Sequence, residues 1–122
     1  AEAGAYAWQK LMHSGAIIAN GTDVPVERID PMANFHATVT RLTKDGSVFY
    51  GDQKMSRAEA LKSYTLNGAF AAKEDAIKGP ITPGNPADLT VLSKDIMTVA
   101  EAELPSTAVV YTIVGGKVAY AR

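Results

Sequence analysis

Asp23 stands in the string Gly21-Thr22-Asp23-Val24-Pro25, directly after the apolar run Ala16-Ile17-Ile18-Ala19. A carboxylate in that place has three uses: it can ligate a metal, take a proton from water, or cap a turn or helix. The run itself, bounded by Gly15 and by Asn20-Gly21, has the length and composition of a short strand buried on both faces of a parallel sheet. Asp23 then leaves the carboxyl end of that strand, where α/β sheets and barrels build their ligand crevices. On spacing alone the helix-cap or turn reading is preferred to the catalytic ones, because Asp is common in turns and caps for purely local reasons.

The other groups with chemical potential divide by their setting. His13 and His36 match no local ligand pattern, such as two histidines one helical turn apart flanking a glutamate, and are read as surface or hydrogen-bonded side chains. Asp30-Pro31 is a helix start, with Asp as N-cap and Pro at the first helical position, so Asp30 is structural. Ser56-Arg57-Ala58-Glu59 is a capping box, which makes Glu59 structural as well. Arg41 has two readings of equal weight. As a bidentate donor it could hold a substrate carboxylate or buttress the Asp23 loop; as a cation at the end of a helix it would complement the helix dipole.

These groups need elements to hold them. Residues 3–14 carry Tyr6, Trp8, Leu11 and Met12 on a loose helical stripe that Gly15 would terminate, and Tyr6 and Trp8 are packing residues on that stripe. The loop after Asp23, with Pro25, Glu27 and Arg28, is placed to shape a pocket. A helix is predicted from Pro31 to about Leu42, then a polar loop over 43–53 with the aromatic pair Phe49-Tyr50. The capped helix runs on to about Leu66, where Asn67-Gly68 breaks it or restarts a short helix through Ala72. Gly79, Pro80, Pro83, Gly84 and Pro86 mark a connection, beyond which the pattern turns to β. Residues 89–92 form one strand, and 109–114 with 117–120 form a hairpin about Gly115-Gly116; Asp88 orders the turn entering the first strand.

With 47% hydrophobic and 20% charged residues, the 122-residue chain can build a core. Twelve Lys and Arg against 13 Asp and Glu give a net charge of -1, and the basic residues are scattered, which argues against a nucleic-acid partner. No apolar run approaches the roughly 20 residues that span a bilayer, so no membrane partner is expected. The absence of cysteine fits a reducing compartment and points to the cytoplasm, with any leader lost by truncation. The start at Ala1, inside what reads as a helix already under way, is expected to mark a truncated chain.

The string GTDVPV, Asp30-Pro31, Ala37-Thr38-Val39-Thr40-Arg41, Ala60-Leu61, Tyr64-Thr65, Pro83-Gly84, Ala87-Asp88-Leu89 and Val114-Gly115-Gly116-Lys117-Val118 follow one another along nearly the whole sequence. In that order and spacing they resemble the C-terminal end of a metal-dependent amidohydrolase of the amidohydrolase 3 type. The resemblance implies an α/β fold: the last strand and helices of a TIM-type (β/α)8 barrel over 1–78, then the C-terminal strands of a small β-sandwich domain over 79–122. A complete barrel takes roughly 250 residues, so such a chain holds an incomplete fragment of the fold. It also implies hydrolysis of non-peptide C–N bonds in a small-molecule substrate, with a divalent metal, zinc in first place, lowering the pKa of bound water. Asp23 would be the barrel-mouth metal ligand and general base, passing the water proton to the leaving nitrogen, and Arg41 would be a substrate-binding residue near the mouth. The histidine ligands of the family come from earlier strands, a His-x-His pair among them, and neither His13 nor His36 matches them. A barrel strand without neighbours has open edges, so self-association into a homo-oligomer is expected. The alternative is a non-catalytic, self-associating α/β module or an inert fragment lacking the rest of the site.

Overall fold

The computed structural model describes residues 4–122. Ala3, where the first predicted helix begins, lies outside them. Helix α1 covers Trp8–His13, starting later than predicted because Tyr6 sits at φ 52°, outside helical space. Ser14 is its C-cap and Gly15 follows at φ 89°, the left-handed conformation that only glycine adopts without cost. Helix α2 covers Pro31–Thr40. Asp30 caps it through Oδ1, which accepts from the Ala33 amide at 3.0 Å. It stops at Thr40, short of the predicted Leu42, because Arg41 turns left-handed at φ 61° while its amide still donates to the Ala37 carbonyl at 2.8 Å.

After α2 the chain folds back on itself, with Leu42 bridged to Val48 in antiparallel fashion, and a 3-10 turn follows over Gly51–Gln53. Helix α3, Arg57–Tyr64, opens with the predicted capping box: the Ser56 amide donates to Glu59 Oε2 at 2.8 Å, and the Glu59 amide donates to Ser56 Oγ at 3.2 Å. The break falls at Thr65 (φ -119°, ψ -87°), and Asn67 and Gly68 lie inside the restarted helix α4, Leu66–Ala71.

Three strands form one antiparallel sheet in the order β1 (Leu89–Leu92), β2 (Val109–Val114), β3 (Lys117–Ala121). Leu89 faces Ile113, and Tyr111 lies between Val91 and Ala121. Gly115 and Gly116 both take positive φ, 55° and 78°, as a two-residue hairpin requires. Asp88 Oδ1 accepts from the Gly115 amide at 2.7 Å, so it orders this hairpin turn across the sheet rather than the turn into its own strand.

The core joins the helices to the segment beyond the Gly- and Pro-rich connection. Phe35 and Val39 of α2 pack with Met55, Ala60, Ile96 and Leu104, the last on a 3-10 turn over Glu101–Ser106. The sheet reaches this core through Leu92, whereas every residue of β3 is exposed.

The predicted barrel strand at 16–19 is not formed, and no barrel is present among the described residues. A parallel strand exists only through ladder bonds to a neighbour, and no described segment pairs with this one. Helices α3 and α4 meet one backbone group of the run and one just after it. The Ile18 carbonyl accepts from Asn67 Nδ2 at 2.8 Å, and the Asn20 amide donates to the Ser63 carbonyl at 3.0 Å.

Candidate functional site

The chain between the 16–19 run and α2 is held by polar side chains from the helices. Asn34, in the first turn of α2, donates from Nδ2 to the Gly21 carbonyl at 2.7 Å. Thr38, one turn further and buried, accepts from Asn20 Nδ2 at 2.9 Å and donates to the Asn34 carbonyl at 2.9 Å. The Gly21 amide donates to Asn20 Oδ1 at 2.9 Å. Gly21, Asn20, Thr38 and Asn34 thereby close a ring of four hydrogen bonds. Beside it the Tyr64 hydroxyl is buried and, among the described residues, has no hydrogen-bond partner. Burial pushes its phenol up, partly opposed by the nearby Thr38 hydroxyl.

Asp23 lies two residues beyond Gly21, exposed, at φ 54°. Asp is among the few residues that enter the left-handed region at modest cost. Its carbonyl accepts from the Val26 amide at 2.8 Å, closing a turn that contains the cis Val24-Pro25 bond. Among the described residues its carboxylate has no hydrogen-bond or ion-pair partner, so it caps nothing; the cap of α2 belongs to Asp30.

Between this turn and the 42–48 fold-back lies an open groove of about 1040 Å³, lined among others by Thr22, Arg28, His36, Lys44 and Asp45. Lys44 and Glu27 approach across it at 4.0 Å, a fully solvated contact of little energy. Asp45 is fixed by the Thr43 hydroxyl, which with the Ser47 amide and hydroxyl holds its carboxyl at about 2. The loop tip beside the groove is therefore ordered by its own hydrogen bonds.

Arg41 does not open into that groove. It is 5% exposed, with its guanidinium carbon 4.2 Å from the Trp8 ring centroid and 5.3 Å from that of Phe49. Nε donates to the Phe49 carbonyl at 2.8 Å, while Nη2 is buried and, among the described residues, has no hydrogen-bond partner. Burial lowers its pKa, and the charge of Asp52 opposes this in part. Arg41 thus ties α1 to the 43–53 loop, with Trp8 packing against it as predicted for a stripe residue.

His36 lines the groove and His13 ends α1. Among the described residues no three His, Cys, Asp or Glu side chains gather closely enough to hold a metal ion, so these residues do not by themselves form a metal cage. No helix among them is long and apolar enough to cross a membrane. The residues that sequence reasoning missed are Asn20, Asn34, Thr38 and Asn67. The signal was the pair Asn34 and Thr38, polar at i and i+4 beside Phe35 and Val39, the positions that face the core.

The sequence profile of the amidohydrolase family matches residues 2–120. The chain is 30% identical over 121 residues to YtcJ of Bacillus subtilis, covering 97% of this chain and 23% of that protein. It is 30% identical to an N-substituted formamide deformylase of Arthrobacter pascens, over 93% of this chain and 21% of the relative. The fold resembles the crystal structure of an amidohydrolase from Thermotoga maritima, with a TM-score of 0.68 at 22% identity over 96% of this chain and 26% of that one. The chain thus spans about a quarter of the length of the proteins it matches. From end to end it carries the pattern that its motifs suggested, and it belongs to the amidohydrolase family.

Proposed function

We propose that this chain is the C-terminal part of a metal-dependent hydrolase that cleaves non-peptide C–N bonds in a small-molecule substrate, and that it supplies the Asp23 side chain as metal ligand and general base. The observation that carries the reading is the Asp23 side chain: exposed, unpartnered among the described residues, and set in a left-handed turn next in sequence to Thr22, which lines the groove. A carboxylate with no structural work of its own is available to move a proton. Asp23 takes one from water as its oxygen bonds to an amide-type carbonyl carbon, and returns it to the nitrogen as the C–N bond breaks. The products are a carboxylic acid and an amine, and Asp23 ends ionised as it began. A divalent ion, zinc in first place, would take Asp23 as one ligand with the others drawn from outside the described residues. That an N-substituted formamide deformylase is among the relatives supports this bond class.

The test is hydrolysis of an N-substituted formamide together with divalent-metal content after dialysis, for the wild type and for Asp23→Asn. Asn keeps the left-handed turn and removes the base. In a protein that carries the remaining ligands, metal and turnover in the wild type, both lost in the variant, are the expected result, whereas the 122-residue chain alone is expected to be inactive. Turnover equal in the two proteins would remove Asp23 from the chemistry.

The surface favours a second reading for the chain by itself, self-association without catalysis. Ile17, Leu66 and Phe70 are exposed along an apolar groove of about 450 Å³, and Val118 and Tyr120 are exposed on the edge strand β3. Chains that present such surfaces pair with further copies.

A further inference from the structure

The four-bond ring at the start of the Asp23 turn has more in it than packing requires. Thr38 is buried, yet it is a threonine in a helix face otherwise occupied by Phe35 and Val39, and both hydrogen-bonding capacities of its hydroxyl used in the ring are met there. Asn34 spends its side-chain donor on a backbone carbonyl outside its own helix. A valine and a leucine at these places would pack more apolar area against the core. What the polar residues add is a fixed position for Gly21, from both its amide side, through Asn20, and its carbonyl side, through Asn34. Two residues later the backbone must enter the left-handed region at Asp23.

We propose that Asn20, Asn34 and Thr38 are positioning residues that set the Asp23 turn, acting through Gly21. The segment needs such a device because it carries no strand ladder of its own among the described residues. A carboxylate displaced by about 1 Å from its reacting partner can lose on the order of a hundredfold in rate, so a side-chain ring is a fitting means of holding it. The inference rests on the reading of Asp23 as the reacting group.

Asn34→Asp separates the ring from the helix. An aspartate in the first turn of α2 favours the helix dipole, but an ionised carboxylate has no donor for the Gly21 carbonyl. Asn34→Gln keeps the donor on a longer arm. By NMR on the 122-residue chain, positive φ at Asp23 gives a strong Hα–amide cross-peak within the residue, and amide exchange at Val26 reports the turn that Asp23 closes. In Asn34→Asp the cross-peak weakens and Val26 exchange rises roughly tenfold, while the α2 amides of Val39 and Thr40 keep their protection. Asn34→Gln restores both signals, and Thr38→Val, which keeps shape and removes the hydroxyl, repeats the loss. A wild-type Asp23 signature in Asn34→Asp and Thr38→Val overturns the proposal, and so does equal loss of protection through α2, which would make the ring a general helix contact. These signals do not depend on turnover, so an intact ring in a chain that hydrolyses nothing would fail the hydrolase reading alone.

Discussion

A guanidinium enclosed between two aromatic rings and a backbone carbonyl is held by shape as much as by charge. Removing the Arg41 side chain takes away a cation–aromatic stack and the hydrogen bond to Phe49, and it also removes the unsatisfied Nη2, so the net loss for Arg41→Ala is about 1–3 kcal/mol by urea unfolding. Arg41 is also the left-handed residue that ends α2. Glycine takes that conformation freely, so Arg41→Gly should be more stable than Arg41→Ala by about 1 kcal/mol, although both lack the stack. Equal stabilities would mean that the backbone there relaxes once the side chain is gone. The same logic at Asp23 predicts that Asp23→Asn stays within about 0.5 kcal/mol of the wild type, since Asn also tolerates positive φ, whereas Asp23→Ala loses about 1 kcal/mol. An Asp23→Asn chain that unfolds early would show that the carboxylate has a structural partner.

Helix α3 is fixed at its start by a capping box whose acid is also a pH sensor. The Ser56 amide first, then the Ser56 hydroxyl, hold the Glu59 carboxyl below its ordinary value, with Gln9 adding to this and burial opposing it. The Met97 amide, then the Thr98 hydroxyl, do the same for Asp95, and the 43–47 loop holds Asp45 at about 2. In each case the folded value lies below the unfolded one, so the unfolded chain binds more protons as pH falls. The stabilisation is complete above the ordinary carboxylate range of about 4 and is lost as pH drops toward 2. Urea midpoints measured from pH 6 to pH 2 should therefore fall on acidification. Ser56→Ala should cost about 1 kcal/mol at neutral pH and flatten the acid limb; a curve parallel to the wild type would remove Glu59 from the pH response. This capping box, the Asp30-Pro31 start of α2 and the Gly115-Gly116 hairpin were legible in the sequence because each is settled within a few residues. The 16–19 run was not, since an apolar run becomes a strand only beside a neighbour. Arg41 was read with equal weight as a bidentate donor and as a cation at a helix end, and neither reading contains its enclosure, which depends on Trp8, brought in from α1. Asp23 was singled out by type and place, while Asn20 was read only as the end of the apolar run and Asn34, whose side chain reaches the Gly21 carbonyl, was not singled out at all.

Over the whole molecule, the enclosed apolar core is small for the number of large hydrophobic residues the chain carries. Ile17, Leu66 and Phe70 remain exposed along one groove, Val91 and Tyr111 pair across an exposed face of the sheet, and β3 offers an unpaired edge on which all five residues are exposed. A net charge of -1 gives little repulsion between copies. Burying such surfaces against another copy gains roughly 25 cal/mol per Å² of apolar area, and an open edge gains ladder hydrogen bonds as well. Light scattering on the purified chain should therefore give the mass of a dimer or larger, rising with concentration. The two surfaces can be separated. Val118→Lys places a charge on the edge strand, where lysine discourages strand pairing, and Ile17→Glu places one in the groove. If the edge drives association, Val118→Lys returns a monomer and Ile17→Glu does not; if the groove drives it, the pattern reverses. A wild-type chain that stays monomeric at high concentration would show that these apolar surfaces tolerate water unaided, and self-association would be withdrawn.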